Sequence, residues 1–122
     1  MPESMTKFEN DVLNKLLTGN HENLRVLRKQ YSEASFKRKL TGVGFFLDFD
    51  VPNGCDRVSP EKCELGDVVA KVKGLEHGSG FVLFVENGLL KTLEAYSFEE
   101  PWPASISEYS LSYTGENRKL PF

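Results

Sequence analysis

A glycine-rich segment in the middle of the chain holds the side chains best suited to acid–base chemistry. It reads Gly74-Leu75-Glu76-His77-Gly78-Ser79-Gly80. His77 could act as a general base beside a carboxylate such as Glu76 or Glu94, and Ser79 could act as a nucleophile. Neighbouring loop residues seldom converge in space, and the nucleophile-elbow pattern G-x-S-x-G is absent. The sequence therefore favours a flexible loop and assigns no catalytic residue.

Two aspartates alternate along a predicted strand. Asp48 and Asp50 share one strand face, roughly 7 Å apart by the strand rise. Paired carboxylates can bind a divalent cation or divide acid and base roles, and they can equally lie on a solvated sheet face. If that face is exposed, it forms an acidic patch suited to a basic partner.

A single tryptophan lies between two prolines, as Pro101-Trp102-Pro103. The prolines restrict the backbone, and tryptophan is the residue type most enriched in interface hot spots. The alternative is that Trp102 closes the bottom of the core. Under the binding hypothesis, the partner-binding residues are Trp102, Asp48, Asp50, Glu99 and Glu100.

The two cysteines, Cys55 and Cys63, lie eight residues apart in a polar loop. A secreted disulfide scaffold usually carries more cysteines, so we expect free thiols, with a local disulfide as the alternative after oxidation. A zinc site needs about four ligands, and only His21 and His77 could join the cysteines, neither at a finger-like offset. We expect no metal and no cofactor.

Two amphipathic helices are predicted first. Thr6 and Glu9 form a capping box before an apolar stripe that ends near Leu17, and Gly19 can end that helix. A second helix is predicted from His21 to Ser32, capped by Asn20, with the two helices packed as a hairpin.

From Ser35 the hydrophobic period changes to two, which is typical of strands. Gly44 is expected to mark a bulge or a close backbone approach. The run from Phe81 to Glu86 is apolar on both faces, which predicts a central strand covered on both sides. Asn87-Gly88 then predicts a tight hairpin. The predicted strands are 35–40, 43–51, 68–72, 81–86, 89–96 and 109–113, with loops at 52–60 and 74–80.

This order of elements predicts the α+β class: an N-terminal helical hairpin packed on a five- to six-stranded, mainly antiparallel sheet. We expect residues 1–113 to form one domain and residues 114–122 to be a frayed tail.

The overall composition indicates which classes of partner and which compartment to expect. Hydrophobic residues make up 39% and the net charge is only -3, which argues for a globular chain and mildly against nucleic acid as a partner. No apolar stretch approaches the ~20 residues that span a bilayer, and residues 1–6 lack the pattern of a secretion signal. We expect a cytoplasmic protein.

Several segments resemble a family of small bacterial α+β proteins for which no activity is established, some of whose members look similar to toxin-immunity proteins. The likeness covers about Phe8 to Pro103, and it carries over no catalytic residue. Ala95 stands where that family would lead us to expect a glycine. The segments are Phe8 through Gly19 to Gln30, Thr41–Phe46, Ser79–Gly88, Leu93–Tyr96 and Pro101–Pro103.

The sequence leaves three functions open. The first is a non-catalytic, immunity-like protein-binding module that occludes a basic active site. The second is a self-associating structural protein whose partner is a second copy of itself. The third is a small enzyme that uses His77 with Glu76 or Glu94. The absence of a catalytic constellation favours the first two.

Overall fold

A computed structural model describes residues 4–122. The sequence predicts no secretion signal in residues 1–6, and the first three of these lie outside the described residues. Helix α1 spans Lys7–Leu16 and helix α2 spans Glu22–Glu33. The predicted capping box is confirmed, because Thr6 and Glu9 each accept a hydrogen bond from the other's backbone N–H. The cap of α2 is His21 rather than Asn20, since His21 Nδ1 accepts from the Asn23 N–H at 3.0 Å.

Seven strands form one antiparallel sheet in the order β1-β2-β6-β5-β4-β7, with β3 paired to β5. The α+β class with an N-terminal helical hairpin is confirmed, with one or two strands more than predicted. The additional strand, β3, has only three residues. The strands are β1 Ser35–Leu40, β2 Gly44–Asp50, β3 Cys63–Leu65, β4 Val68–Val72, β5 Leu75–Glu86, β6 Leu89–Tyr96 and β7 Tyr109–Tyr113.

The glycine-rich segment 74–80 is mostly strand, so the loop prediction was wrong there. After a turn at Gly74, strand β5 begins at Leu75 and pairs with β4 through an irregular register. Gly78 has φ +71°, and a Cβ at this position would overlap the carbonyl oxygen of Ala70. Only glycine fits where the two backbones approach this closely in a left-handed conformation.

Both helices pack on one face of the sheet. Their apolar stripes meet the inward side chains of β2, β4, β5 and β6 in a single core. Gln30 of α2 is buried and fastens this helix to the Asn87-Gly88 hairpin. Its amide donates to the carbonyls of Asp56 and Gly88, and its oxygen accepts from the Leu90 N–H.

Among residues 4–122, no helix covers the opposite face of the sheet. The strand residues on it, which we call the outer face, alternate with the buried core residues. The prediction that 81–86 is covered on both sides was therefore wrong, because Val82 and Phe84 lie half-buried on the outer face. The outer-face residues used below are Lys37, Lys39, Phe46, Asp48, Asp50, Glu64, Val82, Phe84, Thr92, Glu94 and Tyr96.

The last nine residues, for which fraying is predicted, form neither helix nor strand. Arg118 nevertheless holds this segment to the fold. Its guanidinium pairs with the buried carboxylate of Asp67 at 2.8 Å, and it donates to the carbonyls of Leu16 and Thr18 at the end of α1.

Candidate functional site

The acid–base candidates are not brought together. The side chain of His77 is exposed, and the hydroxyl of Ser79 is buried and donates to the neighbouring Gly80 carbonyl at 3.2 Å. Glu94 pairs in register with Val82, five residues along β5 from His77, or roughly 16 Å by the strand rise. The arrangement contains no base oriented by a third group, which nucleophilic catalysis requires.

Glu100 is committed to the backbone. Its carboxylate accepts hydrogen bonds from the N–H groups of Glu76 at 2.7 Å and His77 at 2.9 Å. These two bonds hold the pKa of Glu100 below its usual value. Glu99 is exposed in a left-handed conformation with φ +64°. Of the two glutamates, only Glu99 is left for a partner.

Trp102 lies at the end of the core on the helix side of the sheet. Its indole is half-buried and makes edge contacts with Phe8 of α1 and the inward-facing Phe45 of β2, at centroid distances of 6.4 and 5.7 Å. The backbone N–H of Trp102 donates to the Gly42 carbonyl at 2.8 Å. These contacts are those of a residue that closes one end of the core.

The predicted binding residues divide between two sides of the sheet. Asp48 and Asp50 are exposed on the outer face, and Asp48 accepts a hydrogen bond from the Thr92 hydroxyl at 2.9 Å. Trp102 packs on the other side, among helix-facing aromatic residues. The five residues therefore do not form one continuous surface.

The outer face presents three aromatic side chains, each on a different strand, that sequence reasoning did not single out. Phe46, Phe84 and Tyr96 are half-buried there, and a groove of about 380 Å³ runs between Phe46 and Phe84. The Tyr96 ring lies over Gly80, where a Cβ would overlap it, and contacts Phe98 edge-on at 5.8 Å. The available signal was the doubly apolar pattern of 81–86, which indicates apolar residues on both faces without saying what covers them.

Charges of both signs lie among these aromatic residues. The strand register places Phe46 directly between Lys39 of β1 and Glu94 of β6, and places Asp48 between Lys37 and Thr92. Within residues 4–122, neither Lys39 nor Glu94 has an ion-pair partner. A half-buried carboxylate beside apolar residues is stabilised when it meets a cation. Glu94 on the outer face is therefore available to pair with a cation from a binding partner.

The most exposed large apolar residues gather at one end of the sheet. Leu40 is 72%, Phe98 50% and Val43 44% exposed. Val43 belongs to the β1–β2 turn, and its carbonyl accepts from the Ser97 N–H at 2.8 Å, which brings it beside the segment holding Phe98. The three residues therefore lie at the same end of the sheet, with Leu40 on its helix side.

Neither cysteine forms a disulfide. The Cys55 thiol donates to the Glu33 carboxylate at 3.0 Å, and this bond raises the pKa of Cys55.

No group of three or more His, Cys, Asp or Glu side chains that could hold a metal occurs among the described residues. In the same part of the chain, no helix is long and apolar enough to cross a membrane.

Comparison with known proteins finds no relative: no family model matches the chain, and no curated protein or solved structure matches it significantly. The resemblance to small bacterial proteins with immunity-like members stays a prediction.

Proposed function

We propose that this chain is a non-catalytic protein-binding module that acts through the outer face of its sheet. One observation carries the proposal: both helices cover the same face, and the opposite face presents Phe46, Phe84 and Tyr96 among carboxylates. Apolar patches rimmed by polar residues are typical of interaction surfaces, and aromatic side chains are enriched in them.

The immunity-like form of this proposal gives the module a basic partner. Asp48, Asp50 and Glu94 would steer the encounter, and Phe46 and Phe84 would supply the desolvated contact. Trp102 would act from inside, by fixing the β1–β2 turn through its bond to the Gly42 carbonyl. We place the protein in the bacterial cytoplasm as part of this proposal, where free cysteines are the rule.

The test compares outer-face variants with a matched control on the other side. We expect immobilised wild-type protein to retain a stoichiometric protein partner from a bacterial lysate, and Phe84→Ser and Glu94→Lys to lose it. Leu40→Ser removes a more exposed apolar side chain from the helix side of β1 and should bind normally. Equal retention by the outer-face variants and the wild type would refute the proposal, provided that all variants show the wild-type circular dichroism spectrum.

A further inference from the structure

We propose that the occupant of the outer face is a second copy of this chain, in a face-to-face dimer centred on Phe46. This inference rests on the proposed function, that the outer face binds protein, and it replaces the basic partner of the immunity-like form with a second copy of the chain. It starts from the register of one row, in which Lys39, Phe46 and Glu94 lie side by side on β1, β2 and β6. Adjacent strands are about 4.8 Å apart, so opposite charges lie at equal distances on either side of Phe46.

A two-fold axis along β2, in the plane between two stacked sheets, exchanges the two sides of this row. It places Phe46 against the second copy's Phe46. It also places Lys39 over the second copy's Glu94, and Glu94 over the second copy's Lys39. Self-complementarity of this kind is what a two-fold interface requires. Two sheets that pack face to face lie about 10 Å apart, a gap that these long side chains span.

The neighbouring row adds a second charge pair. Lys37 and Asp48 are partners in register, and Asp48 is held towards Thr92 by a hydrogen bond. Because Asp48 lies on β2, the same axis places it against the second copy's Asp48, and it places the second copy's Lys37 over Thr92, so that one Lys37 from each copy flanks this pair of carboxylates. Each copy thus contributes two lysines and two carboxylates to these two rows, and Asp50, in the next row of β2, adds a third carboxylate at the edge of the contact.

The balance of charges in the two central rows favours a second copy over a strongly basic partner. Two whole chains repel each other weakly, because each carries a net charge of -3. In the two central rows the lysines and carboxylates balance, whereas a strongly basic partner would meet Lys37 and Lys39 beside the carboxylates. Because the overlap covers only about three strands, the buried area lies below the ~1,200 Å² of standard interfaces, so we expect a weak, concentration-dependent dimer.

Charge exchange tests the geometry. Lys39→Glu makes the contact acidic and Glu94→Lys makes it basic, and both residues lie on the surface without an ion pair among the described residues. By sedimentation velocity, we expect each variant alone to dimerise at least tenfold more weakly than the wild type. The double variant Lys39→Glu/Glu94→Lys should regain the wild-type dissociation constant. An equimolar mixture of the two single variants should form a heterodimer, since every pair is then of opposite sign.

A control and two contrary outcomes complete the test. Lys71→Glu reverses the charge of an exposed lysine on β4, outside the contact, and should leave the dimerisation constant unchanged. A dimer that is indifferent to both single variants, Lys39→Glu and Glu94→Lys, would place the interface elsewhere and overturn this inference. A wild type that stays monomeric at several hundred micromolar would also overturn it. The proposed function would still stand if Glu94→Lys abolished capture of a different protein.

Discussion

The carboxylate of Glu100 accepts a hydrogen bond from the backbone N–H of His77 at 2.9 Å. This contact joins the segment after β6 to the start of β5, and it uses the main chain of His77 rather than its imidazole. Glu100, which the sequence offers for an interaction surface, and His77, which it offers for catalysis, are thus joined in one structural contact, a clasp between the segment after β6 and the start of β5.

Replacing Glu100 by Gln should loosen that clasp. A neutral amide is a weaker acceptor than a carboxylate, so the amide protons of Glu76 and His77 should shift and exchange faster in NMR spectra. Because the folded-state pKa of Glu100 is lowered, its contribution is present above the ordinary value of 4.5 and is lost as the pH falls through the folded-state pKa. Glu99→Gln, on the exposed neighbour, should leave both amides unchanged, and an equal effect would refute this assignment.

Replacing Arg118 by Ala should destabilise the fold by about 3 kcal/mol, because it leaves the buried carboxylate of Asp67 without its cation. Burial alone would raise the pKa of Asp67, but the bonds from Arg118 lower it overall. This stabilisation is therefore present above the ordinary value of 3.8 and is lost as the pH falls through the lower folded-state pKa. Urea denaturation at several pH values measures it.

The matched control for Arg118→Ala is Lys119→Ala, which removes an exposed neighbouring cation and should change stability by less than about 0.5 kcal/mol. If the two variants are equally stable, the C-terminal segment does not hold to the fold as described.

Two glycines on the sheet should respond differently to alanine. A Cβ at Gly44 would overlap the Ala95 carbonyl in the adjacent strand, and this backbone cannot move without breaking the β2–β6 ladder. We expect Gly44→Ala to cost about 3 kcal/mol or more. A Cβ at Gly80 would overlap the Tyr96 ring, which can rotate towards solvent, so about 1–2 kcal/mol is expected.

Gly54→Ala is the control for both glycine variants, because a Cβ there meets nothing within 4 Å. Thermal unfolding should rank the proteins in the order Gly54→Ala, Gly80→Ala and Gly44→Ala, from most to least stable. The reverse order of the last two would contradict the close approach at Gly44.

Tyr31 should ionise well above the ordinary tyrosine pKa. Burial, and secondly the carboxylate of Glu9, raise the pKa of Tyr31 to about 12. The folded chain then binds a proton that an unfolded tyrosine releases near pH 10, so this stabilisation is complete below about pH 10 and disappears as the pH rises to about 12. Spectrophotometric titration of Tyr31→Phe should lack a phenolate transition near pH 12 that the wild type shows, and retention of that step would contradict the prediction.

What the sequence determined on its own was the local part of the fold. The Thr6–Glu9 box begins α1, the period-two pattern from Ser35 begins the sheet, and Asn87-Gly88, with φ of +55° and +75°, makes the hairpin. These features depend on residues within a few positions of each other, so the α+β class follows from short-range rules.

Only the tertiary structure decided which surfaces exist. Strand β3 is too short to carry a pattern of its own, and β5 extends through Gly78 because that glycine permits close approach to Ala70. An apolar run such as 81–86 has the same sequence whether one face of the strand is covered or both are. The pattern therefore predicts a covered face for Val82 and Phe84, which the structure leaves half-buried. The side of the sheet on which Trp102 packs, and the placement of Phe46 between Lys39 and Glu94, depend on pairings between residues far apart in the chain, which local patterns do not encode.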